Sequence, residues 1–181
     1  QGAVGGEIEI VYLLGADELD VRPLKETFVI YQGHHGDAGV GVADVVLPGA
    51  AYPEKDGTYV NTEGRIQRAK RATFPPNEAR EDWAIIRALS EILGKPLKFD
   101  SLSALREEME KAFPIFSNVG QVTSAVWGDF GANGEISSSP LKSPVRDFYC
   151  TDPISRASET MRLCSKTYSR VTSGSDMGTY G

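Results

Sequence analysis

Cysteine is nearly absent: Cys150 and Cys164 are the two thiols in 181 residues. Their spacing is far from C-x-x-C and there is no second pair, so this chain's own thiols build neither a zinc site nor an iron–sulfur cluster. Two free thiols fit a reducing compartment. Long hydrophobic runs are missing as well, and nothing approaches the roughly 18 apolar residues of a membrane span. Histidine is limited to His34 and His35, too few for a three-histidine centre. Positive charge is short: Lys+Arg 19 against Asp+Glu 25 gives −6, which argues against a general nucleic-acid binder. Residues 1–15 carry no basic stretch followed by an apolar one, so no targeting segment is expected. A first residue of Gln1 reads as a processed chain or one that begins partway through a longer design.

What remains is ordinary. The composition, 40% hydrophobic and 24% charged, is that of a soluble globular protein. The length fits one domain, or one domain with an appendage, burying roughly 70% of its extended-chain surface. The acidity is concentrated in residues 1–60, with ten acids against three bases. Arg65, Arg68, Lys70 and Arg71 form the one cationic cluster. It reads as a solvated or protein-facing strand surface rather than a phosphate site.

Three apolar, β-branched runs bounded by Gly or Pro, at 8–14, 28–31 and 43–47, predict buried strands of a parallel or mixed sheet. A fourth, 58–61, is more polar and follows a Glu-Lys-Asp-Gly turn, hence peripheral. A helix is expected over 78–93, with Asn77 as its N-cap and Gly94 as its stop. A second, over 101–113, starts at Asp100 or Ser101 and carries a Glu107–Lys111 pair. Residues 114–146 are rich in Asn, Gly, Ser and Pro and read as a linker or surface loop. Asp152-Pro153 then opens an amphipathic helix within 147–170, with Ile154, Ala157, Met161, Cys164 and Tyr168 as its stripe. Residues 171–181 form a frayed tail. The fold class is α/β.

The candidate chemistry is sparse. His34 and His35 are adjacent, so in extended chain they point apart and do not share an ion. Gly33, Gly36, Gly39 and Gly41 follow a strand as a phosphate loop would, but their spacing is not G-x-G-x-x-G and no good helix starts there. Asp37, Glu54 and Glu63 could serve as acid and base only if the fold brings them together.

One resemblance goes further. The strings Val29-Ile-Tyr-Gln-Gly-His-His-Gly-Asp37, Ala43-Asp-Val-Val-Leu-Pro-Gly-Ala-Ala-Tyr52 and Glu54-Lys-Asp-Gly-Thr-Tyr-Val-Asn-Thr-Glu-Gly-Arg65 resemble the C-terminal part of the largest peripheral-arm iron–sulfur subunit of respiratory complex I. The likeness continues through Ala79-Arg-Glu-Asp-Trp-Ala-Ile-Ile-Arg-Ala-Leu-Ser-Glu91 and Asp147-Phe-Tyr-Cys-Thr-Asp-Pro-Ile-Ser-Arg-Ala-Ser-Glu-Thr-Met161. The central stretch is also similar to the wider molybdopterin oxidoreductase family, formate dehydrogenases included. Active members of that family often have two arginines after Asn-Thr-Glu, whereas here Gly64 precedes Arg65. Their terminal pterin-binding barrel has no counterpart.

The resemblance implies a partial molybdopterin-oxidoreductase-like domain over 1–113, a mostly parallel sheet flanked by helices, followed by the linker and an anchoring helix. It implies a non-catalytic structural role in mitochondrial complex I, on the matrix side of the inner membrane. The alternative is a distal fragment of an active molybdopterin enzyme such as a formate dehydrogenase. No catalytic, cofactor-binding or metal residue is expected in this chain; iron–sulfur clusters and FMN belong to partner chains. The expected partners are the cluster-bearing N-terminal portion of the same subunit, whether a separate polypeptide or not, and other matrix-arm subunits. Asp44, Pro48, Glu54, Gly57, Asn61, Glu63 and Arg65 carry a scaffold role by the same resemblance.

Overall fold

The structure is a computed structural model that describes residues 7–124, 128, 131–140, 145 and 147–168. The expected tail at 171–181 lies outside the described residues. The chain divides into two compact units, one of Gln1–Val29, His35–Asp44 and Gly131–Gly181, the other of Ile30–His34 and Val45–Phe130.

Strands β1 (Ile10–Leu14), β2 (Phe28–Gly33) and β3 (Val45–Pro48) form one sheet in that order. The β2–β3 pairing is parallel, with Ile30 opposite Val45 and Gly33 opposite Pro48. This is the α/β arrangement that the continuous apolar runs predict. Its core is small: Leu13, Leu24, Val29 and Tyr31 are buried, but Ile10 is 60% exposed, Leu14 52% and Val46 47%. Strands built to be covered on both faces are therefore half bare within this chain. In the first unit, Asp44 fixes the start of β2 twice. Its carboxylate accepts the Val29 N–H at 2.7 Å, and its own N–H donates to the Val29 carbonyl at 2.8 Å.

In the second unit, β4 (Gly57–Val60) and β5 (Ile66–Ala69) make a separate antiparallel hairpin. The sequence pattern marks β4 but not β5, whose Ile-Gln-Arg-Ala pattern buries one residue, Ile66, and exposes Gln67 and Arg68. Gly57 opens the ladder opposite Ala69. Asn61 closes the turn, its side-chain oxygen accepting the Arg65 N–H at 2.9 Å and its carbonyl accepting the Gly64 N–H at 3.0 Å. Gly64 sits at φ 81°, a left-handed conformation in which a side chain is strained.

Helix α1 spans Asp82–Ile92, four residues shorter at its start than expected. Asn77 is not its cap; it lies in a turn at φ 46°. Arg80 is drawn instead into a parallel bridge with Gly49, just after β3. Arg80 donates its N–H to the Pro48 carbonyl at 3.1 Å and accepts from the Ala50 N–H at 2.8 Å. Those bonds consume the backbone groups that a helical turn would need. The C-terminus ends as expected at Gly94, where Gly94 donates to the Glu91 carbonyl and Lys95 to that of Ser90, both at 3.0 Å. Helix α2 (Leu102–Ala112) is capped by Ser101, whose hydroxyl accepts the Ala104 N–H at 3.1 Å. Lys111 pairs with Glu108 at 2.7 Å rather than forming the expected contact with Glu107. This raises the Lys111 pKa and lowers that of Glu108.

The stretch read as linker begins with structure. Pro114–Ser117 is a 3-10 turn, Val119 bridges to Ile66, and Gly120 donates to the Ile66 carbonyl at 2.7 Å. Residues 121–124 and 131–140 are exposed and have no helix or strand. The expected C-terminal helix is two: α3 (Pro153–Ala157) and α4 (Glu159–Tyr168). Ser158 separates them at ψ 124°, and its hydroxyl accepts the Met161 N–H at 3.3 Å, capping a new helix. The single stripe is broken accordingly. Met161 and Cys164 are half-buried, while Ile154, Ala157 and Tyr168 are exposed.

Candidate functional site

Four of the five segments that carry the family resemblance meet in the second unit around one carboxylate. Asp82, in the first turn of α1, accepts a 2.8 Å bond from the side-chain amide of Gln32 and pairs with the Lys55 ammonium. Gln32 is fully buried. Beside them, the Glu54 carboxylate accepts the Ala51 N–H at 2.9 Å. The chain passes close to Asp82 at Gly49, where a Cβ would come within 3.1 Å of its Oδ1. The result is a cation, an anion and an amide that satisfy one another, a network suited to holding β2, the post-β3 loop and α1 in register.

A phosphate-bearing pterin would need donors aimed at it. Here the nearby cations are committed to protein partners. Lys55 is on Asp82, and Arg80 donates to the carbonyls of Asn77 at 3.1 Å and Ala79 at 2.9 Å. Arg65 bonds Glu63 and the Gly120 carbonyl, both at 3.3 Å, and Arg68 bonds Glu110 at 2.9 Å. Arg71 stacks on the Phe74 ring at 4.4 Å. Among the described residues the one fully buried side-chain polar atom without a partner is Nε of Arg106, on α2. A cavity of about 420 Å³ lies between Phe74, Trp83, Arg71 and Arg80, and the Trp83 N–H beside it is taken by Glu81 at 2.6 Å.

The acids singled out from the sequence each have a partner close at hand. Asp37 pairs with Arg156, Glu54 caps its own loop, and Glu63 pairs with Arg65. His34 is exposed and His35 half-buried, and no group of three or more His, Cys, Asp or Glu side chains able to hold a metal occurs among the described residues. The glycine loop turns its Gly39 amide to Asp17 at 2.9 Å and continues as a 3-10 turn at Val40–Val42.

Sequence reasoning missed Arg156. Its guanidinium bonds Glu18 through both terminal nitrogens at 3.2 Å each, and its Nε pairs with Asp37. The bond to Glu18, more than burial opposes it, raises the Arg156 pKa. The separations along the chain, 138 and 119 residues, leave no local signal. Cys150, whose carbonyl accepts from the same arginine at 3.4 Å, has its thiol pushed up by desolvation and by Asp147. A thiol shifted in this direction carries less thiolate at neutral pH.

Comparison with known proteins places these features in context. Residues 1–92 match the family described as Molybdopterin oxidoreductase, and residues 117–164 match the C-terminal family of the NADH-ubiquinone oxidoreductase G-type subunit. The 78 kDa subunit of mitochondrial NADH-ubiquinone oxidoreductase from Candida albicans is 46% identical, over 88% of this chain and 24% of its own length. The 75 kDa subunit from Reclinomonas americana is 44% identical over 90% of this chain and 24% of its own. The mitochondrial 78 kDa subunit from Neurospora crassa is 45% identical over 87% of this chain and 22% of its own. The chain thus spans about a quarter of the length of these relatives.

Proposed function

The chain belongs to the molybdopterin oxidoreductase family, and from that premise we propose that it serves as the distal scaffold of the large iron–sulfur subunit of mitochondrial complex I. The observation that carries this reading is the pairing of two matches on one chain. A molybdopterin oxidoreductase segment, residues 1–92, is followed by the C-terminal segment of the NADH-ubiquinone oxidoreductase G-type subunit, residues 117–164. The Gln32–Asp82–Lys55 network supports it, because its polar groups are spent on holding elements together.

In this role the chain binds no molybdopterin, iron–sulfur cluster or FMN, and it contains no catalytic centre. Electrons pass from NADH to ubiquinone through clusters and flavin held by partner chains. The half-bare sheet packs against the cluster-bearing N-terminal portion of the subunit, on the matrix side of the inner membrane. Blue-native electrophoresis of a mitochondrial extract, with detection of this chain, tests the reading. Co-migration with complex I is expected. Migration elsewhere together with stoichiometric molybdenum or tungsten would instead support the formate-dehydrogenase-like alternative. The purified chain should show no NADH oxidation and no iron–sulfur absorbance.

A further inference from the structure

We infer that residues 147–168 form a strap that closes over the loops following β1 and β2, with Arg156 as its latch in a receptor built from Glu18 and Asp37. In open α/β sheets, ligands enter the crevice outside the carboxyl ends of the strands. Glu18 lies four residues beyond the end of β1 at Leu14, and Asp37 four beyond the end of β2 at Gly33. These two loops form a fixed frame, because the buried Asp17 carboxylate accepts the Gly39 N–H at 2.9 Å. The frame presents two carboxylates, which repel a phosphate or pyrophosphate and suit a guanidinium.

The guanidinium is the chain's own. Arg156 forks onto Glu18 with both terminal nitrogens and turns Nε to Asp37, and the Arg156 and Asp37 side chains are each 25% exposed. The strap is built to aim it. Asp152 caps α3 one turn earlier, accepting the N–H groups of Ile154 at 2.9 Å and Ser155 at 3.0 Å. The Ser165 hydroxyl donates to Asp147 at 2.6 Å, tying α4 back to the start of the strap. The two loop carboxylates are thus bridged by a guanidinium from the same chain. This rests on the reading of the chain as a cofactor-free scaffold and supplies its means.

Hydrogen exchange of the full chain, resolved by mass spectrometry, tests the latch. In R156A and in the double variant E18Q/D37N, amides of α3 and α4 should exchange at least tenfold faster than in the unsubstituted chain. The β4–β5 hairpin should keep its original rates. R156K, which keeps the charge but loses the fork, should fall between, and the swapped pair D37R/R156E should recover protection. Unchanged exchange of α4 in R156A would overturn the inference. So would equal loss of protection in the hairpin, or failure of the swapped pair to recover any. Co-migration with complex I is scored separately, so a chain absent from that complex would overturn the functional reading while the exchange data still decide the latch.

Discussion

Gln32 and Asp82, 50 residues apart, meet in a 2.8 Å hydrogen bond that fastens β2 to the first turn of α1. Asp82 also neutralises Lys55, so one carboxylate serves three segments. Replacing it with Ala removes the Asp82 bond of the fully buried Gln32 amide and the counter-charge of Lys55. The expected loss is about 2–3 kcal/mol. Asp82→Asn, which keeps an acceptor for Gln32, should lose less. Urea denaturation followed by tryptophan fluorescence measures both, and equal stability of D82A and the parent chain would refute the network's role.

The exposed strands predict behaviour in isolation. Ile10, Leu14, Phe28 and Val46 present apolar side chains on or beside unpaired sheet surface. The purified chain should bind a hydrophobic dye and self-associate as its concentration rises, which light scattering reads directly. A dye-silent monomer with a sharp melt that does not depend on concentration would contradict the expectation.

Asp152 makes the strap sensitive to acid. Hydrogen bonds from Ser155 lead the interactions that hold its carboxyl below the ordinary value of 3.8. A carboxylate whose folded pKa is depressed contributes stability above its unfolded pKa and loses it as pH falls through the folded one. Helicity of the C-terminal segment should therefore hold from neutral pH down to about 4 and decline below that. Asp152→Asn, still a good cap, should flatten this decline, and Asp152→Ala should cost about 1 kcal/mol of helix stability at neutral pH. Backbone chemical shifts of residues 153–157 across the titration provide the measurement.

Gly64 tests the departure from the catalytic pattern. At φ 81° it closes the β4–β5 turn, with nothing near a new Cβ, so the penalty of a side chain there is conformational rather than steric. Gly64→Ala should destabilise by about 1 kcal/mol. Gly64→Arg, which restores two consecutive arginines, should destabilise to a similar extent and confer no molybdopterin binding. A G64R chain more stable than the parent would show that the turn tolerates the family's other sequence at no cost.

The elements with strong local signals stand where the sequence puts them. The apolar runs give β1, β2 and β3 to within two residues, and Gly94 and Ser101 mark helix ends by capping chemistry that needs no tertiary partner. The errors have tertiary causes. Asn77 looks like a helix cap until Pro48 and Ala50 claim the backbone of Arg80. Strand β5 is polar because one face is open, and it exists because β4 and Val119 flank Ile66. The Arg156 receptor is assembled from three distant segments, and no spacing rule reaches that far.

The extended residue at Ser158 has a geometric consequence. In one unbroken helix, at 3.6 residues per turn, Arg156 and Met161 would stand about 140° apart around the axis. A rod that covered the thioether would then swing the guanidinium away from Glu18 and Asp37. Breaking the rod after Ala157 frees the second helix to choose its own direction, so both side chains are at least half covered. Deleting Ser158 would weld the two helices together and force a choice between them.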